Sequence, residues 1–274
     1  MTRRPSKRCA RCAMRSNSAV CTSCRCPSFA INPSCAPEVR ACGDTAFVMT
    51  FGAQPDPRLT QRMMALRQAL LQTSVPGLIE IIPGLTALTF VFDPDITSAH
   101  ALAALARVRG AGLTDAPPAV RSWTIPVCYD EALAPDLDEI ARSCRLTKER
   151  IVALHSEREY TVYLIGFSPG FPYLGDIAAE LVLPRRAQPR TRVPAGSVAI
   201  ADRYTAIYAH ETPGGWHIVG RTPWQLFDAC RASPSLLQAG DIVRFQPVDR
   251  QAFDELAAGI ASGTYVPCPA EPRR

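Results

Sequence analysis

The second half of this 274-residue chain is a series of short apolar segments separated by turns rich in Gly and Pro. This pattern restricts the fold more than any other feature of the sequence. Beyond Tyr160 the predicted strands are residues 161–167, 197–201, 205–209, 216–219 and 242–247. Short strands at regular spacing, with turn signals between them, are typical of a closed β-barrel rather than of βαβ units.

The first half shows helical stripes between strands. Asp56 followed by Pro57 predicts a helix start, because Asp caps helices and Pro is favoured at the first helical position. The apolar residues that follow share one helix face: Leu59, Met63, Leu66 and Leu70. Predicted strands cover residues 46–51, 78–82 and 86–92, a second helix follows them, and residues 122–127 are a possible closing strand. The order β-α-β-β-α, with a closing strand, is a split βαβ pattern.

These patterns predict an α+β protein. We expect a small split-βαβ N-terminal domain over residues 37–118, in which residues 111–118 are a linker, and a β-barrel C-terminal domain over residues 119–250. Residues 251–274 are expected to form a C-terminal helix and tail. Residues 1–36 lack apolar periodicity, and we interpret them as an N-terminal extension that is disordered or that follows from a start codon assigned too early.

Six of the 11 cysteines lie in this extension. The spacings Cys9-x-x-Cys12 and Cys21-x-x-Cys24 could hold zinc, although no apolar module surrounds them, and we predict no bound metal. The Arg/Ser-rich, acid-poor composition is also similar to an organelle transit peptide, whereas no apolar region supports a secretory signal. The other five cysteines are scattered, which is typical of a reducing compartment and predicts a cytoplasmic location.

The net charge of +5 is concentrated near the N-terminus. Residues 1–40 hold eight basic and one acidic side chain (+7), and the remainder holds 22 basic and 24 acidic side chains (−2). The nearly neutral remainder therefore predicts no broad basic surface for nucleic acid. No apolar run approaches the roughly 18 to 20 residues of a membrane span, so we expect no membrane partner either.

Three motifs mark the candidate site. They are the aromatic loop GFSPGFPYLG at residues 166–175, RTRVPAGS at 190–197, and ETPGGW at 211–216, which is followed by GRTP at 220–223. Rigid Gly/Pro turns flanked by Arg are suited to an anion or a planar carboxylate, because guanidinium groups and exposed N–H groups bind such groups. Turn chemistry alone also explains many of these Gly and Pro residues, and the arginines could simply cap carbonyls.

Taken together, these motifs resemble the KipI family, whose members are the B subunits of 5-oxoprolinase and were formerly called allophanate hydrolase subunit 1. The same module occurs in the carboxyltransferase region (subdomains C and D) of urea carboxylase. GDTAFVMTFG at residues 43–52 resembles the family's opening motif, and residues 139–167 are similar to its central helix pair. The resemblance covers approximately residues 37–248 and leaves the extension without a counterpart.

The resemblance implies a small α/β domain followed by a cyclophilin-like β-barrel. It also implies a KipA-type partner protein and a LamB/YcsF-type partner protein, with which the chain opens 5-oxo-L-proline to L-glutamate at the expense of ATP. Fold alone implies no prolyl isomerase activity. Because the chain contains no phosphate-binding loop of the form G-x-x-x-x-G-K-[ST], we expect it to form only part of an ATP site shared with its partners.

Such a reaction needs groups that bind a carboxylate and phosphoryl charge, donors for the developing oxyanion, and groups that move protons. The residues predicted for catalysis are His155, Glu211 and Arg192. The residues predicted to bind substrate or nucleotide, or to exclude water, are Arg190, Ser197, Thr212, Gly214, Gly215, Arg221, Phe171 and Trp216. His155 has a second interpretation, since a protonated His at a helix C-terminus is stabilised by the helix dipole.

Two other functions remain open on the sequence alone. One is a protein–protein regulator that inhibits a sensor histidine kinase, which would not need the polar loops. The other is a carboxyltransferase component of urea or allophanate metabolism, which would need a biotin-carrying chain that this sequence is too short to include.

Overall fold

The structure, a computed structural model, describes residues 37–112 and 120–270. The predicted extension, with its two Cys-x-x-Cys spacings, lies outside the described residues, as do residues 271–274. Residues 113–119 are also outside, so the predicted boundary between the two domains stays a prediction. No helix in the described ranges is both long enough and apolar enough to cross a bilayer.

The N-terminal part is a four-stranded antiparallel sheet with two helices. Its elements are β1 (Glu38–Ala41), β2 (Ala46–Thr50), α1 (Pro57–Leu71), β3 (Leu78–Pro83), β4 (Ala87–Phe92) and α2 (Ala99–Ala111). The strand order is β1-β2-β4-β3. Strands β2 and β3, which α1 connects, are both antiparallel to β4 and lie on either side of it, so the predicted split βαβ arrangement is confirmed.

Helix α1 forms as the sequence predicts. The Asp56 carboxylate accepts hydrogen bonds from the backbone N–H groups of Arg58 and Leu59, at 2.9 and 3.3 Å, which satisfies donors at the helix start. The predicted stripe is buried against the sheet and α2: Leu59, Met63, Leu66 and Leu70.

The fourth strand of this sheet differs from the prediction. Residues 122–127 do not close the sheet, because β5 (Ser122–Cys128) joins the barrel instead. The sheet is completed by β1, a strand that the sequence pattern does not predict. The physical reason is local: β1 is short and largely exposed, so it lacks the apolar alternation that marks a half-buried strand.

The remaining elements surround a closed seven-stranded barrel. They are α3 (Leu137–Cys144), α4 (Lys148–Ser156), β6 (Glu159–Ile165), β7 (Pro172–Gly175), a 3₁₀ turn (Ala179–Leu181), β8 (Arg190–Val193), β9 (Ser197–Ala201), β10 (Tyr204–Ile207), β11 (Thr212–Gly214), β12 (His217–Arg221), β13 (Ile242–Val248) and α5 (Arg250–Ser262). The barrel order is β10-β7-β6-β13-β5-β12-β9. Its pairs are antiparallel except for β5 with β13, which are parallel.

Strands β8 and β11 stay outside the barrel and form a two-stranded ribbon of their own. Barrel strand β9 is buried along its whole length, because both of its faces are covered. Val198 and Ile200 belong to the large core cluster, whereas Ala199 and Ala201 belong to a second cluster that includes Val193 of the ribbon. Since neighbouring residues of a strand point to opposite faces, the ribbon packs over the outer face of the barrel.

Candidate functional site

The β8–β11 ribbon joins the second and third sequence motifs. Thr212 lies opposite Val193 and Gly214 lies opposite Arg190, with a register shift between the two pairs. Several predicted site residues are therefore gathered on or beside this ribbon: Arg190, Arg192, Glu211, Thr212, Gly214 and Gly215. The other five, which are Ser197, Arg221, Phe171, Trp216 and His155, lie in the barrel or its packing.

The Arg190 guanidinium is held by Asp136, just before α3. Its Nη1 and Nη2 donate to Oδ2 and Oδ1 of Asp136 at 2.9 and 2.6 Å, and the Asp136 side chain is only 3% exposed. Asp136 also accepts from Arg186 at 2.8 Å and from the backbone N–H of Ile218 at 2.7 Å. A guanidinium engaged in this bidentate way connects the ribbon to α3, so Arg190 has a structural role, and its predicted role in binding substrate or nucleotide stays a prediction.

Asp136 is not among the site residues that the sequence predicts. A Pro-Asp pair at the start of a helical segment reads as a helix cap, yet the Asp136 side chain makes no capping hydrogen bond in α3. Its partners are 50 and 54 residues away in the chain, and nothing in the local sequence marks them.

Arg192 and Glu211 form the exposed end of the ribbon. Arg192 Nε donates to Glu211 Oε1 at 2.9 Å and Nη2 donates to Oε2 at 3.0 Å, in a fork-to-fork pair. The two side chains are 77% and 48% exposed. Because exposed ion pairs contribute little net free energy, a carboxylate or phosphate from solution can compete for this guanidinium.

Phe171 and Trp216 are buried in an aromatic cluster between the ribbon and the barrel. Their ring centroids lie 6.0 Å apart at 90°, and Phe171 also meets Tyr208 edge-on at 5.1 Å. Gly214 must lack a side chain here, because a Cβ at this position would overlap the Tyr208 hydroxyl. These buried aromatic residues therefore pack against the ribbon, and their predicted role in excluding water from a substrate stays a prediction.

His155, near the end of α4, is fully buried and stacks on Phe245 of β13, with ring centroids 4.6 Å apart. Its Nδ1 lies 2.8 Å from the Tyr129 hydroxyl and its Nε2 lies 2.9 Å from Thr205 Oγ1. Thr205 Oγ1 donates to the carbonyl of Ala199 at 3.1 Å, so it accepts from Nε2–H, and Nδ1 accepts from the tyrosine. Burial lowers the pKa of His155 to about 3, so the ring is neutral at pH 7.

Both predicted interpretations of His155 are thereby corrected. The ring has no free nitrogen to move protons for a substrate, and it is not the protonated residue that a helix dipole would stabilise. Ile151, four residues earlier in α4, is fully buried on the same helix face. That spacing is the signal from which the burial of His155 could have been predicted.

Ser197 and Arg221 are neighbours across the β9–β12 pair. Ser197 is buried, so its hydroxyl is not open to solvent. Thr212, on the ribbon, has a buried Oγ1 with no hydrogen-bond partner among the residues that the structure describes. Arg221 is half-buried at the end of its strand.

Two clefts open elsewhere on the surface. One, of about 600 Å³, has walls that include Tyr129, Val152 and Pro247, and the other, of about 740 Å³, lies between α1 and the barrel beside Arg67 and Arg121. Neither is lined by the ribbon arginines or by Arg221. No group of three or more His, Cys, Asp or Glu residues that could hold a metal ion occurs in residues 37–112 and 120–270.

The sequence matches a family model over residues 37–237, described as the carboxyltransferase domain, subdomain C and D. This chain belongs to that family. The chain is also similar to the 5-oxoprolinase B subunit of Bacillus subtilis (strain 168), to which it is 34% identical over 79% of its own length and 95% of that protein. A second relative, the 5-oxoprolinase B subunit of Escherichia coli O157:H7, is 40% identical over 75% of this chain and 93% of its own.

A solved structure, TTHA0988, supports the same family fold. It superimposes with a TM-score of 0.67 at 36% identity over 86% of this chain. The present chain spans only 42% of the TTHA0988 chain. The α+β class and the closed barrel predicted from the sequence are thus confirmed for a carboxyltransferase-domain protein.

Proposed function

We propose that this chain acts as the B subunit of an ATP-dependent 5-oxoprolinase, which opens the lactam ring of 5-oxo-L-proline to L-glutamate. The observation that supports this proposal most is the near-complete alignment with two proteins named as 5-oxoprolinase B subunits, which the chain covers to 95% and 93%. Fold alone would not support it, because one fold can host many activities.

The chemistry defines what the complex must supply. A five-membered lactam is a stable amide, so ATP is expected to phosphorylate the amide oxygen. Water then adds to the activated carbon, and the ring nitrogen departs as the amine of glutamate after it takes up a proton. A second water hydrolyses the acyl phosphate that this leaves, which gives the carboxylate of glutamate and free phosphate. The complex must therefore bind one carboxylate, hold phosphoryl charge and stabilise developing negative oxygen.

The ribbon is the part of this chain that best fits such a site. Its exposed Arg192 guanidinium suits a carboxylate or a phosphoryl oxygen, and Glu211 beside it suits proton transfer once a ligand displaces it from Arg192. The ribbon is an open surface rather than an enclosed cavity, and an exposed pair alone cannot exclude water from a reactive intermediate. We infer that a second polypeptide covers it.

The proposed partners are a KipA-type protein and a LamB/YcsF-type protein, which would complete the enzyme. Because the sequence contains no phosphate-binding loop of the form G-x-x-x-x-G-K-[ST], we propose that nucleotide is bound jointly with these partners. A cytoplasmic location is part of the proposal, and it is supported by the free state of the five cysteines that lie in the described ranges.

Reconstitution tests the proposal. The chain would be co-purified with its KipA-type partner, combined with the LamB/YcsF-type partner, and assayed for glutamate release from 5-oxoproline with and without ATP. The corresponding E. coli proteins serve as the positive control. ATP-dependent release supports the proposal, whereas assembly without any release, under conditions in which the control turns over, contradicts it.

One alternative keeps support from the family description, namely a carboxyltransferase component in urea or allophanate metabolism. It is distinguished in the same assay. Carboxyl transfer between a biotinylated carrier and urea, in the absence of 5-oxoproline turnover, would favour it.

A further inference from the structure

We propose that Arg221, at the end of β12, is the cationic anchor of a binding site for a small oxyanion, either a carboxylate or a phosphate. The anion would come from outside this chain. The ribbon pair Arg192–Glu211 is a separate feature, since Arg221 lies on a barrel strand opposite Ser197 and Cys128.

The Arg221 guanidinium has no hydrogen-bonding or ionic partner among the described residues. Its Nε is buried and makes no hydrogen bond, and no carboxylate lies within salt-bridge distance in the part of the chain that the structure describes. Other partly buried arginines behave differently. Arg121 holds Asp241, and Arg203 holds Asp176, each through two hydrogen bonds.

Another positive charge lies near Arg221. Burial lowers the pKa of Arg221, and repulsion from Arg250 at the start of α5 lowers it further. Arg250 is itself paired with Asp254, in an exposed position. The guanidinium without a counter-charge thus lies in the positive field of a second arginine, which is the electrostatic environment that an anion would stabilise.

The aliphatic part of the Arg221 side chain, its stem, packs against the backbone at Gly196. The stem passes close to Gly196, where a Cβ would lie 3.4 Å from Arg221 Cγ and would overlap the carbonyl of Thr222. Gly196 also has a φ of +78°, which side-chain-bearing residues rarely adopt. The GRTP and VPAGS motifs therefore meet here, and this contact explains why the sequence requires glycine at 196.

An unpaired guanidinium has an energetic consequence that can be measured. Removing it from water without a partner is unfavourable, so Arg221 destabilises the chain unless a ligand or another group compensates. A side chain that only covered apolar surface would behave in the opposite way, since its loss would remove packing. Methionine keeps most of the stem volume and removes the charge.

The anion site depends only on the unpaired guanidinium. Its assignment to the carboxylate of 5-oxoproline or to the phosphates of ATP rests on the proposed function. The two assignments share one chemistry and can be separated by the choice of probe.

The experiment measures thermal unfolding of the full chain at constant ionic strength. The probes are sodium phosphate, ATP and 5-oxoproline, each compared with chloride. We expect the wild-type Tm to rise with the concentration of at least one probe. Without ligand, Arg221→Met should have an equal or higher Tm, and its affinity for the probe should fall about 10- to 100-fold, as expected for the loss of a charged hydrogen-bonding partner.

Arg62→Met, which removes an exposed arginine from α1, is the matched control and should keep the wild-type response. A response to phosphate and ATP alone assigns the site to phosphate, and a response to 5-oxoproline alone assigns it to a carboxylate. A lower Tm for unliganded Arg221→Met, or a wild-type chain that responds to no probe, would overturn the proposal. Probe binding without turnover in the reconstituted complex would contradict the proposed function and leave the anion site standing.

Discussion

Asp136 accepts hydrogen bonds from Arg190 through both of its carboxylate oxygens, although its side chain is buried, with only 3% exposed. The pair fixes the start of α3 to the ribbon. Arg186 and the backbone of Ile218 use the same carboxylate, so four hydrogen bonds converge on one side chain.

We expect Asp136→Asn to lower the free energy of unfolding by about 3–5 kcal/mol, because it leaves two partly buried guanidinium groups without their shared counter-charge. Urea denaturation measures this directly. Glu38→Gln is the control, since Glu38 pairs with Arg40 on the surface and should change stability by less than about 1 kcal/mol. Equal losses in the two variants would contradict the structural role of Asp136.

Arg192→Ala and Glu211→Ala should behave in the opposite way to the Asp136 variant. Each removes one partner of an exposed pair, so stability should change by less than about 1 kcal/mol. Turnover of the reconstituted complex should be lost while assembly stays intact. Steady-state assays and co-purification measure the two effects, with Arg40→Ala as a surface control, and full activity in both variants would remove the pair from the site.

Adjacent glycines on the ribbon provide a matched pair. Gly214→Ala should destabilise the chain by about 1–3 kcal/mol, because the added methyl group overlaps the Tyr208 hydroxyl. Gly215→Ala should have little effect, since the nearest atom to its Cβ would be 3.5 Å away in Pro189. Denaturation of the two variants checks this, and similar stabilities would argue against close packing of the ribbon on Tyr208.

His155 makes stability depend on pH. Its pKa is lowered from 6.5 in the unfolded chain to about 3 in the folded chain, so the unfolded state binds the proton more tightly. The contribution of the neutral ring is fully present above pH 6.5 and is lost as pH falls towards 3, at up to about 1.4 kcal/mol per pH unit.

We expect His155→Gln to be less stable than wild type at pH 7 and to show a shallower fall in unfolding free energy between pH 6.5 and 3. His100→Gln, at an exposed position, should keep the wild-type slope. Unfolding titrations across this range measure both slopes. A slope in His155→Gln equal to that of wild type would show that the ring does not titrate as its burial implies.

Local sequence was sufficient for much of the fold. The Asp56 cap and the apolar stripe of α1 depend on residues within a few turns of one another, and both formed as predicted. The strand at residues 197–201 has the predicted bounds, and the other predicted barrel strands are shifted by only a few residues. In contrast, the exposed strand β1 was missed and β5 was assigned to the wrong sheet, since neither strand's partner is encoded in its own pattern.

The residues of the candidate site also divide into features that the local sequence predicts and contacts that only the fold determines. The sequence by itself determined that rigid Gly/Pro turns would present arginines beside a barrel, because turn chemistry and side-chain charge are local properties. Tertiary structure alone decided which guanidinium has a carboxylate partner. Arg190 pairs with an Asp 54 residues away and Arg192 pairs with a Glu 19 residues away, whereas Arg221 pairs with no carboxylate in the described ranges. The reason is physical, since an ion pair depends on distance in space and on burial, and both are fixed only when the barrel closes.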